Sequence, residues 1–366
     1  MEIWIVWLPN VWKSTLFNAL TKSYAADSAN FPFCTIEPNI WTVEVKDARV
    51  DSLSALSWSE KTLYATINFV DIAWLVKWAS AWEWLWNKFL ATIREVDAIV
   101  QVVRHFSDDD VVHVEWSPNP LRDIEIINTE LIIADMQMIE NIMPWLQRKL
   151  KSWDADTKVL MGALEKIHEH LKAWWLAIDI KESFVAKELA VLKQYNFLTF
   201  KPFIYALNVA ENDLKHASKL IEEYQHALQK PVCIVSAKFE SEIMELEWED
   251  RALFIEELQW DSSEPLPTLD DLIALAFDTV WLMYYFTTWV KETRAWTIPK
   301  WSIAPQAAWA IHTDFERWFI KADVVSYNEF IKAWWRSKTK ELWVQRLEWK
   351  EYIVQDGDVM LFKFNV

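Results

Sequence analysis

The chain has 366 residues, with 37 Lys and Arg against 54 Asp and Glu and a formal net charge of −17, which excludes a protein coated in nucleic acid. Its length suffices for two or three domains. It has no apolar run of membrane-spanning length, its N-terminus enters a strand pattern too early for a signal peptide, and Cys34 and Cys233 lack metal-ligand spacing, so a cytoplasmic protein with no membrane partner is expected.

The apolar run Ile3 to Val6 reads as a strand and Leu16 to Leu20 as the start of a helix. Between them lies Trp7-Leu8-Pro9-Asn10-Val11-Trp12-Lys13-Ser14-Thr15. Strand, loop and helix in that order is the setting of a phosphate-binding loop. The stretch fits G-x-x-x-x-G-K-[ST] at every position except the two glycines, where Trp stands. Glycine is needed there because backbone N–H groups point at the phosphates and a side chain would fill their volume.

Composition bears on this misfit. The chain has 2 Gly and 27 Trp, together the glycine content of an ordinary soluble protein, about 7%. Trp also recurs in turn contexts, in Ser57-Trp58-Ser59, Glu115-Trp116-Ser117-Pro118-Asn119, Trp174-Trp175 and Trp334-Trp335, where Gly normally supplies a positive φ. Most Trp here are therefore read as standing at glycine positions. Trp296, in the strand-like run Arg294 to Pro299, is read as a true tryptophan.

Phe31-Pro32-Phe33-Cys34-Thr35-Ile36-Glu37-Pro38-Asn39 is bounded by prolines and cannot be a regular helix. Strands are predicted at Thr42 to Lys46 and Thr66 to Asp71. The second ends in Asp71-Ile72-Ala73-Trp74, which reads D-x-x-G with glycine at 74, a place where P-loop enzymes support Mg²⁺ and the γ-phosphate. Five Trp between 74 and 86 would make the following stretch a glycine-rich switch. Asp97 to Val103 is a further buried strand, followed by Asp108-Asp109-Asp110 with His105 and His113 on either side.

From about 128 to 198 the pattern turns helical. Leu160, Leu164, Ile167 and Leu171 recur at helical spacing, as do Val185, Leu189 and Leu192, with breaks at Pro144 and Trp174-Trp175. The expectation is a helical hairpin or coiled-coil insertion tipped by Arg148, Lys149 and Lys151. Strands resume at Pro202 to Leu207 and Val232 to Val235, each followed by a loop, Asn208-Val209-Ala210-Glu211 and Ser236-Ala237-Lys238, of the kind that lines a ligand crevice. From Leu282 onward 12 Lys and Arg face 10 Asp and Glu, so the tail is the better RNA-facing part. It alternates like a small mixed sheet, with Asp356-Gly357 read as a hairpin turn.

These segments resemble the Obg-related P-loop NTPases, and specifically the Obg-like ATPase (YchF) family. The resemblance rests on Leu8 to Val11 with Lys13-Ser14-Thr15, on Asn30 to Asn39, on Phe69 to Ala73, and on the tail motifs Arg294 to Pro299, Ala304 to Ala308, Ile311 to Glu316 and Tyr352 to Asp358. It spans essentially the whole chain. It implies an α/β fold: a P-loop NTPase domain of the G-domain type over 1–280, with a mostly parallel sheet and the helical insertion, then a β-grasp TGS domain over 281–366.

The resemblance further implies that Asn10, Val11, Trp12, Lys13, Ser14 and Thr15 wrap the phosphates of ATP, with Lys13 neutralising the β- and γ-phosphates. Ser14, Thr35 and Asp71 would hold Mg²⁺, and Asn208, Val209 and Ser236 the base. The N-K-x-D that selects guanine is replaced by Asn208-Val209-Ala210-Glu211. Guanine loses its discriminating partner, and the family implication is a preference for ATP. Leu75 stands where Ras-like enzymes carry a water-orienting glutamine, so His113 is the candidate for that task, His105 the second choice, and hydrolysis is expected to be slow. A ribosome-associated regulatory ATPase in translation or stress is the leading expectation. The alternatives are a translation-associated GTPase and a non-catalytic adaptor that binds ribosomes or RNA through the TGS domain and the helical tip.

Overall fold

The computed structural model describes residues 2–8, 15–16, 19–20, 39–71, 93–106, 119–149, 155–246, 250, 253–255, 265–333 and 344–364. Two six-stranded sheets organise them, and the chain divides into two compact units. The first unit comprises Met1–Ser23, Phe31–Trp41 and Asn68–Leu272; the second comprises Tyr24–Asn30, Thr42–Ile67 and Ile273–Val366.

The first sheet has the order β2-β4-β1-β5-β6-β7, with β1 at Glu2–Trp7, β2 at Asn39–Val45, β4 at Ala65–Asp71, β5 at Ala98–Arg104, β6 at Phe203–Asn208 and β7 at Val232–Val235. β1 runs parallel to both β4 (Ile5↔Asp71) and β5 (Trp7↔Val102), and β6 parallel to β5 (Arg104↔Asn208) and β7 (Leu207↔Ile234). Every residue of β5, β6 and β7 is buried. That explains why these strands read as continuous apolar runs, as parallel strands covered on both faces do.

Helix α1 (Ala48–Ser57) is not predicted from the sequence: its apolar residues do not gather into a helical stripe. Helices α2 (Pro120–Lys149) and α3 (Ala155–Lys172) form the expected helical segment. Asn119 caps α2, its Oδ1 accepting from Arg122 N at 3.2 Å, and Pro120 takes the first helical position, where no N–H is needed. Leu164, Ile167 and Leu171 are fully buried and share one core with Ile127, Leu131, Ile139 and sheet residues such as Phe203 and Tyr205.

Pro144 does not break this helix; α2 runs through it. Only one turn and a half follow before the helix ends, and Leu146, fully buried, anchors that last stretch against the core. Val185, expected on the apolar stripe, is exposed and precedes α4 (Ala186–Leu192) in extended conformation. Further along the chain come α5 (Ala217–Leu228), α6 (Ala237–Glu245) and α7 (Leu269–Thr279). No described helix is long and apolar enough to cross a membrane.

The second sheet has the order β11-β10-β12-β8-β9-β3, with β3 at Thr62–Leu63, β8 at Leu282–Thr288, β9 at Thr293–Pro299, β10 at Phe319–Ser326, β11 at Arg346–Glu348 and β12 at Asp358–Phe364. β8 and β9 are an antiparallel hairpin, and the last strand, β12, lies parallel beside β8 (Asp358↔Tyr285). The second sheet is therefore mixed.

Helix α8 (Ala304–Ile311) packs on the sheet through Ala304, Ala307 and Ala308, all fully buried; their small side chains let Tyr285 Oη donate to Ala307 O at 2.7 Å. Helix α9 (Thr313–Trp318) is capped by His312, whose Nδ1 accepts from Asp314 N, and α10 spans Tyr327–Ala333. Trp296 is half-buried on β9, donates Nε1–H to Thr287 Oγ1 at 2.9 Å and stacks on Tyr285. Asp356-Gly357 makes a tight turn, with Asp358 N donating to Gln355 O, but not a hairpin: β12 pairs with β10 and β8 instead of with the strand before the turn.

Among the described residues, four tryptophans adopt a left-handed backbone, Trp58 (φ 52°), Trp174 (φ 63°), Trp281 (φ 60°) and Trp301 (φ 73°). All four are exposed. Trp58 ends α1, Trp174 follows α3, Trp281 follows α7, and Trp301 is the third residue of the turn closed by Ser302 N on Pro299 O. These are the positions glycine serves by lacking a Cβ. Trp4 and Trp7 differ: they lie buried in β1.

Candidate nucleotide site

The carboxyl ends of β1, β5, β6 and β7 lie along one edge of a parallel sheet, where ligands of open α/β folds bind. β1 delivers Trp7, 6% exposed, to the start of the proposed phosphate loop, and Thr15 and Leu16 resume in helix on its far side. Asn10, Val11, Trp12, Lys13, Ser14, Thr35 and His113 lie outside the described residues. Asp71 closes β4 beside Ile5 of β1.

The base-side residues are brought together. Asn208 ends β6 and is 2% exposed; its Oδ1 accepts from Ala237 N at 3.0 Å and its carbonyl from His105 N at 2.8 Å. Val209, buried, donates its N–H to Val235 O at 2.9 Å. These bonds tie the loop after β6 to the loop after β7. Ser236 sits between them, 1% exposed, and its Oγ has no hydrogen-bond partner among the described residues. A buried hydroxyl left unpaired costs about 1–3 kcal/mol. Glu211 opens the 3-10 helix Glu211–His216 directly after this loop.

His105 has its ring edge against Tyr224, centroids 5.6 Å apart, so it is packed against the helix following β6. Sequence reasoning missed Arg104, 2% exposed at the end of β5 and in register with Asn208. Its Nε donates to Phe106 O at 3.0 Å and its guanidinium lies over the Phe106 ring, bracing the loop after β5. A charged residue ending an apolar strand run was the available signal.

Two titratable groups flank the base loops. Burial pushes the Cys233 thiol up to about 12, which leaves no thiolate for nucleophilic chemistry near neutral pH. Glu240, one turn into α6, is pushed up to about 7 by burial, against the opposing hydrogen bond from Leu269 N.

A parallel sheet whose central strand leads into a phosphate-loop sequence, with a buried Asn208 at the end of β6 and a buried Ser236 after β7, defines a P-loop nucleotide-binding protein that also carries a second, mixed sheet. Family models agree with this at both ends. Residues 2–142 match the model described as 50S ribosome-binding GTPase, and residues 282–365 match the YchF GTPase C-terminal model, described as a protein of unknown function (DUF933).

The chain is 46% identical over 369 residues to the ribosome-binding ATPase YchF of Pasteurella multocida, covering 99% of this chain and 98% of that protein. To the Bacillus subtilis protein of the same name it is 44% identical over 367 residues, with the same coverage. The solved Schizosaccharomyces pombe YchF GTPase superposes with a TM-score of 0.83 at 31% identity, covering 99% of this chain and 97% of that one. The chain belongs to the YchF family.

Proposed function

We propose that this chain is a cytoplasmic, ribosome-binding ATPase that works with Mg²⁺ as a nucleotide-dependent regulatory switch. The observation that carries the nucleotide reading is the buried base edge formed by Asn208, Val209 and Ser236, with the Ser236 hydroxyl unpaired among the described residues. ATPase activity and ribosome binding follow from the names of relatives that match over nearly the full length.

The preference for adenine rests on what the base loop lacks. In Asn208-Val209-Ala210-Glu211 no lysine follows the asparagine, and the acid is one methylene longer than the aspartate that holds guanine. Val209 offers the base an apolar face. Lys13 would balance the β- and γ-phosphate charge while backbone N–H groups from Asn10 to Thr15 orient the chain of phosphates. Ser14, Thr35 and Asp71 are the residues that would hold Mg²⁺, which when bound neutralises charge developing on the phosphate oxygens. Leu75 cannot hydrogen-bond a water, so His113 is assigned to orient the attacking one.

Ribosomal contact is assigned to the tip of the helical segment, where Lys149 lies 5.1 Å over the Trp145 ring and Arg148 and Lys151 add charge, and to the β-grasp sheet as an RNA-facing surface. Equilibrium dialysis of ATP and GTP against the Mg²⁺-loaded protein, paired with phosphate release, tests the reading. ATP held about tenfold or more tighter than GTP, with slow phosphate release, is expected. Tighter GTP would make the protein a translation GTPase, and bound nucleotide without release would make it an adaptor.

A further inference from the structure

We infer that Thr42–Ile67 is a strap through which the nucleotide site acts on the C-terminal sheet. The inference rests on the ATP-switch reading above. In sequence, the segment lies between Thr35 and Asp71, the two positions assigned to the metal shell of the phosphates. In structure it belongs to the compact unit of the C-terminal strands.

The fastening is extensive. β3 extends the second sheet as a sixth strand, parallel to β9 with Thr62↔Thr293 and Leu63↔Arg294. Thr293 N donates to Lys61 O and Glu60 N to Val290 O, both at 2.9 Å. Val50 and Leu53 of α1 are fully buried. A chain of hydroxyls joins strap to sheet: Ser54 with Thr62 at 2.5 Å, Thr288 with Ser57 and with Thr293 at 2.6 Å, and Ser59 with Thr293 at 2.8 Å. Thr288, Thr293 and Ser57 are buried, so these bonds are shielded from competing water.

At the other end of α1, Arg49 is held between two carboxylates. Its Nη2 reaches Asp47 at 2.8 Å and its Nη1 reaches Asp356 at 2.6 Å, while the guanidinium lies over the Phe286 ring. Gly357, at φ +84°, is one of the chain's two glycines. A Cβ there would stand 3.2 Å from Arg49 Nη1, so a side chain at this position would press on the arginine.

Both exits from the fastened segment are strands. β2 leads back toward Thr35 and β4 leads forward to Asp71. When such switch positions rearrange on gain or loss of a γ-phosphate, the displacement arrives along two extended segments at an element already hydrogen-bonded to the C-terminal sheet. By linkage, whatever that sheet binds would then alter nucleotide affinity by the same factor.

Hydrogen exchange of the full-length protein with Mg²⁺ and either a non-hydrolysable ATP analogue or ADP tests this, with binding of each nucleotide measured separately by dialysis. Exchange in 48–63 and in 284–299 is expected to differ together between the two nucleotides. In Arg49→Met the difference in 284–299 is expected to fall several-fold while both nucleotides still bind. Ser59→Ala, a milder break at the half-exposed end of the hydroxyl chain, keeps the test available should Arg49→Met fold poorly, and is expected to reduce the same difference. Nucleotide binding with no change in 284–299, or a change that survives both variants, overturns the strap alone; failure of both nucleotides to bind overturns the ATP-switch reading and the strap with it.

Discussion

A left-handed backbone puts the Cβ of an L-residue against its own carbonyl at a cost of roughly 1–2 kcal/mol, and Trp58, Trp174, Trp281 and Trp301 all carry it while their indoles lie exposed. Among the described residues Trp281 has Lys300 Nζ 5.9 Å over its ring, a contact that at an exposed site offsets only part of that cost. Replacing each by Gly is expected to raise stability by about 1 kcal/mol, net of the chain entropy glycine adds to the unfolded state, read as a shift of the urea midpoint. Trp296→Gly serves as the opposite control: it removes a stacked, hydrogen-bonded side chain and should destabilise. If all five substitutions act alike, the glycine reading of the turn tryptophans fails.

An intact mass of the protein from its native cell, several kilodaltons below the 43.5 kDa of this sequence, would show glycine at most Trp positions outright. The turn residues were legible in the sequence because composition and local context agreed on them. Trp7 was legible from the spacing of the phosphate-loop pattern, whereas Trp4 was not, because a strand interior makes no φ demand and no motif covers it.

At the scale of elements, α6 and α7 are joined by one buried carboxylate: Glu240 Oε1 accepts from Leu269 N, the first residue of α7, at 2.9 Å. Its folded pKa of about 7 lies above the ordinary 4.5, chiefly because burial disfavours the charge, with Asp270 and Asp271 adding repulsion. Between those two values the folded state binds the extra proton, so this group's stabilising contribution is complete below about pH 4.5 and is lost as pH rises to about 7.

Glu240→Gln keeps an acceptor for Leu269 and removes the charge. Relative to the parent it should gain on the order of 1–3 kcal/mol at roughly pH 8 and little at roughly pH 5, measured by urea unfolding at both. A gap between the two proteins that does not vary with pH would mean Glu240 does not titrate in this range. β5, β6 and β7 were readable because burial on both faces leaves largely apolar runs, broken within β5 only by the buried Gln101. α1 was not, because the partners that fix it, Asp356 for Arg49 and Thr288 for Ser57, lie 307 and 231 residues away and local periodicity carries no trace of them. The buried Asp135, which accepts from Arg94 at 2.8 Å and from both the N–H and hydroxyl of Thr199 at 2.8 Å, was hidden for the same reason.

For the whole molecule, the decisive contrast is between a switch and an adaptor that merely carries a nucleotide. A switch must bind its partner differently in two nucleotide states, because a ligand shifts an equilibrium only by its differential affinity. Lys13→Ala removes the cation assigned to the β- and γ-phosphates, so hydrolysis should fall by roughly 10² or more and the variant should lose its response to ATP. Co-sedimentation with ribosomes, with ATP, ADP or neither, then reads the consequence. For a switch, the parent's ribosome association depends on nucleotide, the variant's does not, and by reciprocity ribosomes alter the parent's nucleotide affinity by the same factor. For an adaptor, parent and variant associate equally under all three conditions, and that result would remove the regulatory reading while leaving the fold and the family in place.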